Sequence, residues 1–290
     1  MKAIRNLIIT LVVIVAILGV VIIGGYIYVR TTYGIDLFRT AGQLKTLTQT
    51  VDETALCPNA YGEEDFTAME TELNKKFDGF VSYEEGKGYN GYSVNFASLA
   101  GKSMTDPIFL TEKQVGAVAQ TVFYEQTGGK VKIGEKEVSV TVVQVDFSEI
   151  AANGSADFNV VAKIDLTPFK ADMGGFPYKY FKKYIPDNLY VSSVVRVDKT
   201  EKDGFSYTVT HKALTLNNLS ADDTADLFDT LNAVLKIGTA ENLNMQVGET
   251  AVNALIGTKE SNGFAYALKA IGSTEFRFET ASEAERFIVN

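Results

Sequence analysis

The single histidine, His211, and the single cysteine, Cys57, set the first bounds on the chemistry of these 290 residues. His211 has no second histidine at ligand spacing, which argues against zinc. A serine triad would need a nucleophile elbow, and no G-x-S-x-G occurs. His211 is therefore expected to be structural or to lie at the surface. Cys57 has no partner for an intrachain disulfide, and a nucleophilic role would require a neighbouring base that sequence does not reveal. The densest carboxylate set is Asp222, Asp223, Asp226 and Asp229. Oxygen ligands of this kind suit hard cations, but the spacing of a calcium loop is missing. The set follows Ser220, so helix capping and dipole compensation are the simpler expectation. Glu63, Glu64 and Asp65 are read likewise as a helix start. Neither a Gly-rich phosphate loop nor a dinucleotide fingerprint is present. No pair of carboxylates stands out for glycoside hydrolysis. The expectations are no catalytic residue, no metal, no cofactor and no enzyme.

The segment most unlike its surroundings is Pro168 to Pro186. It holds three of the five prolines, the rings of Phe169, Phe176, Tyr178, Tyr180, Phe181 and Tyr184, and Lys170, Lys179, Lys182 and Lys183. The chain as a whole is acidic, with a net charge of -9. One reading has Phe181 and Ile185 filling a core while the lysines stay solvated. The other has Phe176, Tyr178, Lys179, Phe181, Lys182 and Lys183 contacting a lipid or an anionic partner. The acidity argues against a nucleic-acid partner, because phosphate neutralisation needs an excess of Lys and Arg.

The elements that hold these residues begin with an apolar run from Leu7 to Val29. As a helix it would be about 34 Å long, enough to cross a bilayer core of about 30 Å. It is too long for a signal-peptide core and ends in bulky residues, so an uncleaved anchor is expected. Tyr26 and Tyr28 suit the membrane interface, and Arg30 follows them. Lys2 and Arg5 in a short head without acids favour a cytoplasmic N-terminus and an extracellular domain. A domain of this size needs no disulfides.

Leu37, Leu44, Leu47 and Val51 predict an amphipathic helical stalk over 31–57. A turn at Pro58–Gly62 ends it, and residues 58–106 form a small α/β subregion with a helix over 64–77. Thr111 and Gln114 have capping-box spacing for a helix running to about Tyr124. Period-two alternation then predicts long strands at 138–147, 158–166, 189–197 and 205–209 and beyond. Turns fall at Asn153–Ser155 and Glu201–Gly204. Helices follow Ser220 and span Glu249–Ile256, with closing strands at Phe264–Leu268 and Phe276–Phe278. Short echoes at 112–117 and 249–254 are compatible with duplication or with chance. Residues 107–290 are thus one main α+β domain of long, largely antiparallel, curved strands packed on helices.

An N-terminal anchor, a helix opening Leu110-Thr111-Glu112-Lys113-Gln114-Val115, long strands, and Tyr178–Pro186 leading into Leu189-Tyr190-Val191 form one plan. It resembles that of small single-pass extracytoplasmic proteins of Gram-positive bacteria, similar to the tubular lipid-binding architecture. The resemblance covers roughly residues 107–235; residues before 107 depart from it. It implies a curved sheet wrapped on a long helix, an apolar groove for acyl chains, and no catalytic residues. The function expected is a membrane-tethered, non-enzymatic domain binding a lipid or other amphiphile of the cell envelope. The alternatives are a scaffold in an envelope complex and, behind it, an envelope hydrolase.

Overall fold

Alternating β-branched residues give four long strands. Each is paired antiparallel to its sequence neighbour because the connections run between adjacent ends. The computed structural model describes residues 37–133, 136–171, 182–200, 203–235, 238–261, 263–281 and 284–290. The expected membrane helix, with Tyr26, Tyr28 and Arg30, lies outside the described residues. Among those described, no helix is long and apolar enough to cross a membrane.

The chain is α+β. Strands β4 (Lys130–Ile133), β5 (Lys136–Ser148), β6 (Ala156–Asp165), β7 (Asn188–Lys199) and β8 (Tyr207–Leu216) make a five-stranded sheet in that order. A bulge at Val143 in β5 and a register shift between Val194 and Val195 of β7 interrupt the ladder. A three-stranded sheet, β3 (Ile108–Thr111), β10 (Ala284–Val289) and β9 (Phe276–Ala281), has β10 at its centre. Its rings reach the large sheet where Phe278 meets Phe147, 4.8 Å between centroids. A short hairpin pairs β1 (Val81–Tyr83) with β2 (Tyr92–Val94).

Helix α1 (Leu37–Leu47) is followed by a single turn, α2 (Glu53–Leu56), so the helix expected over 31–57 is interrupted at residues 48–52. The apolar stripe of α1 faces the protein: Leu44 and Leu47 are fully buried in a cluster with Leu214, Leu216 and Phe228. Helix α3 (Glu63–Lys76) lies where the spacing of Phe66, Met69 and Leu73 placed it. It shares one hydrophobic cluster with Phe276, Phe278 and Phe287 of the C-terminal strands. Residues 58–106 and 107–290 therefore contribute to a common core.

Helix α4 (Glu112–Thr127) opens with the Thr111–Gln114 capping box. After the single-turn helix α5 (Thr167–Ala171) and strands β7 and β8 comes α6 (Ala221–Leu235), which starts with the Asp223 amide donating to Ser220 Oγ at 3.1 Å. Helix α7 (Ala240–Leu255) begins nine residues before the expected Glu249, because a second capping box, Thr239 and Asn242, starts it. Residues Phe264–Leu268 are not a strand: α8 (Phe264–Ala267) passes into a 3-10 turn, Leu268–Ile271. Phe264, Ala265 and Leu268 are buried at helical spacing, and the Phe-Ala-Tyr-Ala alternation carries no polar phase to solvate a second face.

Candidate functional site

The inward residues of β6 are Phe158, Val160, Ala162 and Ile164, which alternate along the strand as its period of two requires. They form the floor of a narrow apolar slot. Val140, Val142 and Val145 of β5 and Val191 of β7 flank it. Above the sheet, α4 supplies Val115, Ala119 and Phe123, and α7 supplies Val247, Thr250, Ala251, Ala254 and Leu255. From Phe158 to Ile164 the floor is about 20 Å long. The cavity volume is about 120 Å³, comparable to the roughly 150 Å³ apolar cavity that stays dry and accepts benzene. Among the described residues of the lining Thr250 alone is polar, and its hydroxyl donates to the Gln246 carbonyl of its own helix at 2.6 Å. Ala254 on the rim is exposed.

The gap exists because each helix is fixed to a different strand. Helix α4 is held to β5, whose outer edge has no partner strand beyond residue 139 among the described residues. Its side chains take that strand's free amides. The Val142 N–H donates to Gln120 Oε1 at 2.7 Å, and the Phe147 N–H donates to Glu112 Oε1. Tyr61 completes the arrangement by donating its hydroxyl to the Val142 carbonyl, with its ring against Gly116, where a Cβ would lie 2.5 Å from it. Helix α7 sits over β7 and β8. Asn244 Nδ2 donates to the Val194 carbonyl at 2.8 Å, and Ser193 Oγ donates to the Asn244 carbonyl at 3.3 Å. Gly248 lies so close to β7 that a Cβ there would be 2.2 Å from Val195 Cγ1. Strand β6 runs between the two attachments.

Desolvation has a visible effect beside the slot. Burial pushes the Glu112 carboxyl up to about 7, against the opposing effect of its hydrogen bond from Phe147; Asp146 and Glu285 add repulsion.

The described residues bring part of the aromatic–basic crossover to one end of this slot. Lys182 and Lys183 lie in a 3-10 turn, Lys182–Tyr184, and Ile185 behind it is buried with Ile164, Leu189 and Val191. Tyr184 and Phe123 pack on the same cluster. Lys183 Nζ lies over the Tyr184 ring, 4.8 Å from its centroid. The crossover's roots are tied by the Leu166 amide donating to the Asp187 carbonyl at 2.8 Å and by Lys170 to Asp187 at 2.7 Å. Phe176, Tyr178, Lys179 and Phe181 lie outside the described residues.

The remaining sequence candidates are dispersed. His211 Nδ1 is 2.7 Å from Asn244 Nδ2, which makes Nδ1 an acceptor and His211 a clamp on α7. Cys57 is buried against Val161 and Tyr190. Burial first, then the charges of Glu53 and Asp146, push its thiol up to about 11. Asp223 returns the cap by accepting from Ser220 Oγ at 2.9 Å, and Arg39 of α1 pairs with Asp223 and Asp226. Among the described residues no three His, Cys, Asp or Glu side chains are placed to hold a metal. The slot residues on α4 and α7 were not singled out in the sequence, since small and aliphatic side chains there read only as helix interior.

No family model, curated protein or solved structure matches this chain.

Proposed function

We propose that this chain is a membrane-tethered, non-enzymatic binding domain on the outer side of a cell membrane, holding a short apolar segment of a lipid or other amphiphile over β6. The observation that carries this reading is the slot itself. Its lining is long, narrow and without an open hydrogen-bonding group, so only an apolar moiety is accepted without desolvation loss. Lys182 and Lys183 at the Ile164 end supply the cationic side for a headgroup. The apolar Leu7–Val29 run of the sequence keeps the slot near the source of such molecules.

The test uses full-length chain in its native membrane and a diazirine-bearing fatty acid. Irradiation and peptide mapping are expected to place the label on α4, β6 or α7. Replacing Ala162 by Phe fills the slot and is expected to abolish labelling there with the melting temperature retained. Labelling that ignores this substitution, or that spreads evenly over the surface, rejects the reading. Protease added to spheroplasts tests the topology: the domain is expected to be cut while the N-terminus stays protected.

The scaffold reading is favoured by one observation, the exposed rings of Tyr83, Phe96 and Phe109. Cross-linking at Phe96 that captures a defined membrane-protein partner would support it.

A further inference from the structure

The opposite face of the five-stranded sheet carries a second cavity of different chemistry. Residues 53–61 arch across β5 and β6 and leave a cleft of about 420 Å³, within the range of small-molecule sites. Its floor is made of cross-strand rows set by the register. Thr141 faces Lys163, which faces Tyr190, and Asp165 faces Asn188. Ser139 extends the floor along β5, Glu53 stands on one wall, and Tyr61 and Tyr89 stand on the other.

Neighbouring polar residues on the same face satisfy one another. Asp146 accepts from Asn59 at 3.1 Å, Gln144 at 2.5 Å and Asn159 at 3.0 Å, while Asn159 accepts from Ser192 at 2.9 Å. Inside the cleft the pattern changes. Glu53 Oε2 takes the Tyr190 hydroxyl at 2.7 Å and Lys163 at 3.0 Å, so the one cation that lines the cleft among the described residues is neutralised. That pairing holds the Glu53 carboxyl below its ordinary range, chiefly through the Tyr190 hydrogen bond. The hydroxyls of Ser139, Thr141 and Tyr89 and the Asn188 amide make no side-chain hydrogen bond among the described residues. Asp165 uses one carboxylate oxygen on the Thr167 amide at 2.9 Å and leaves the other.

Open hydroxyls and an amide both donate and accept, and the free carboxylate oxygen only accepts. This set matches a ligand that offers hydroxyl groups of both kinds. With Lys163 cancelled by Glu53 and Asp165 remaining, the cleft is net negative, which disfavours phosphate and carboxylate ligands. The two tyrosines provide apolar surface beside polar tips, suited to the C–H faces of a ring that also carries hydroxyls. We propose that this cleft binds a neutral, hydroxyl-rich ligand of the saccharide class, independently of the apolar slot on the other side of the sheet.

Saturation-transfer NMR on full-length chain in lipid nanodiscs tests this with two neutral probes, chitotetraose and maltotetraose, and inorganic phosphate as competitor. At least one oligosaccharide is expected to receive saturation with a dissociation constant on the order of 1 mM or tighter. The isosteric pair Thr141→Val and Tyr89→Phe removes two hydroxyls and little volume. It is expected to weaken binding about tenfold at an unchanged melting temperature. Should that pair unfold the protein, Asp165→Asn, which keeps the acceptor for Thr167, is expected to weaken the same signal. No transfer to either probe, transfer unchanged in the folded variants, or displacement by phosphate would each overturn the proposal.

Discussion

The contact that fixes one wall of the slot is the approach of Gly248 to Val195, and it can be tested by a double-mutant cycle. In Gly248→Ala the new Cβ would meet Val195 Cγ1 at 2.2 Å, Cγ2 at 2.9 Å and Cβ at 3.1 Å. Val195 is fully buried in the centre of the sheet and cannot rotate into solvent. Overpacking of this kind costs about 1–3 kcal/mol, and a contact this short belongs at the upper end. Alanine regains about 1 kcal/mol of helix propensity over glycine. The net expectation is a loss of about 1–2 kcal/mol, against the gain that an open helical site would show. Val195→Ala alone removes two methyl groups and leaves a void, costing about 2–3 kcal/mol. In the double variant the void receives the new methyl, so the losses should fall short of their sum by about 1–2 kcal/mol. For a domain of this size each kcal/mol corresponds to about 2–4 °C in melting temperature. Thermal unfolding followed by circular dichroism on the four proteins supplies the cycle. Additive losses, or a stabilised Gly248→Ala, would refute the claim that close backbone approach at Gly248 seats α7.

Three other perturbations follow from single residues. Because burial raises the folded carboxyl of Glu112 to about 7, its contribution to stability is full below about pH 4.5 and is lost as pH rises through 7. Water reaches part of this group, so Glu112→Gln, which keeps an acceptor for Phe147, should flatten that slope by about 1–2 kcal/mol. Melts at pH 5 and pH 8 should show the variant gaining on the parent at the higher pH. Ser220→Ala should cost about 0.5–2 kcal/mol, read by denaturant titration, and chelator should leave the parent unchanged. Cys57, buried and with its thiol raised to about 11, should resist iodoacetamide in the folded chain and react only after urea is added; mass spectrometry of the alkylated peptide decides.

Much of the fold was legible because its signals are local. The period of two in 138–147 and 158–166, and the Thr111–Gln114 and Ser220–Asp223 caps, each determine an element within a few residues. The misread elements lacked such a signal or carried an ambiguous one. Phe264–Leu268 is too short for its periodicity to separate strand from helix, and the box that starts α7 has Asn242 where the usual signature has Glu or Gln. The helix over Leu37–Leu47 was recognised, but its destination was not: an amphipathic stripe looks the same whether it packs on its own domain or on a partner. Here it is decided by Gln43 Nε2 donating to the Asp223 carbonyl at 3.1 Å and by the burial of Leu44 and Leu47.

The two cavities were illegible for a different reason: both arise from how elements are spaced. The slot over β6 comes from α4 and α7 being attached to strands on either side, through Glu112 and Gln120 in one case and Asn244 and Gly248 in the other. None of these four residues lines the slot, and each would be an ordinary helix residue elsewhere. The outer cleft depends on the path of residues 53–61, which is set by Asn59 donating its amide to Gln144 Oε1 at 3.0 Å and by Tyr61 reaching Val142. Beside the bulge at Val143, the Val142 N–H donates to Gln120 and the Val142 carbonyl accepts from Tyr61. The bulge departs from the two-residue period, so alternation alone assigns the wrong face to residues on one side of it. With the extra residue counted, Thr141 and Gln144 share the outer face while Val142 and Val145 share the inner one. A polar cleft and an apolar slot can then occupy opposite sides of the same pair of strands.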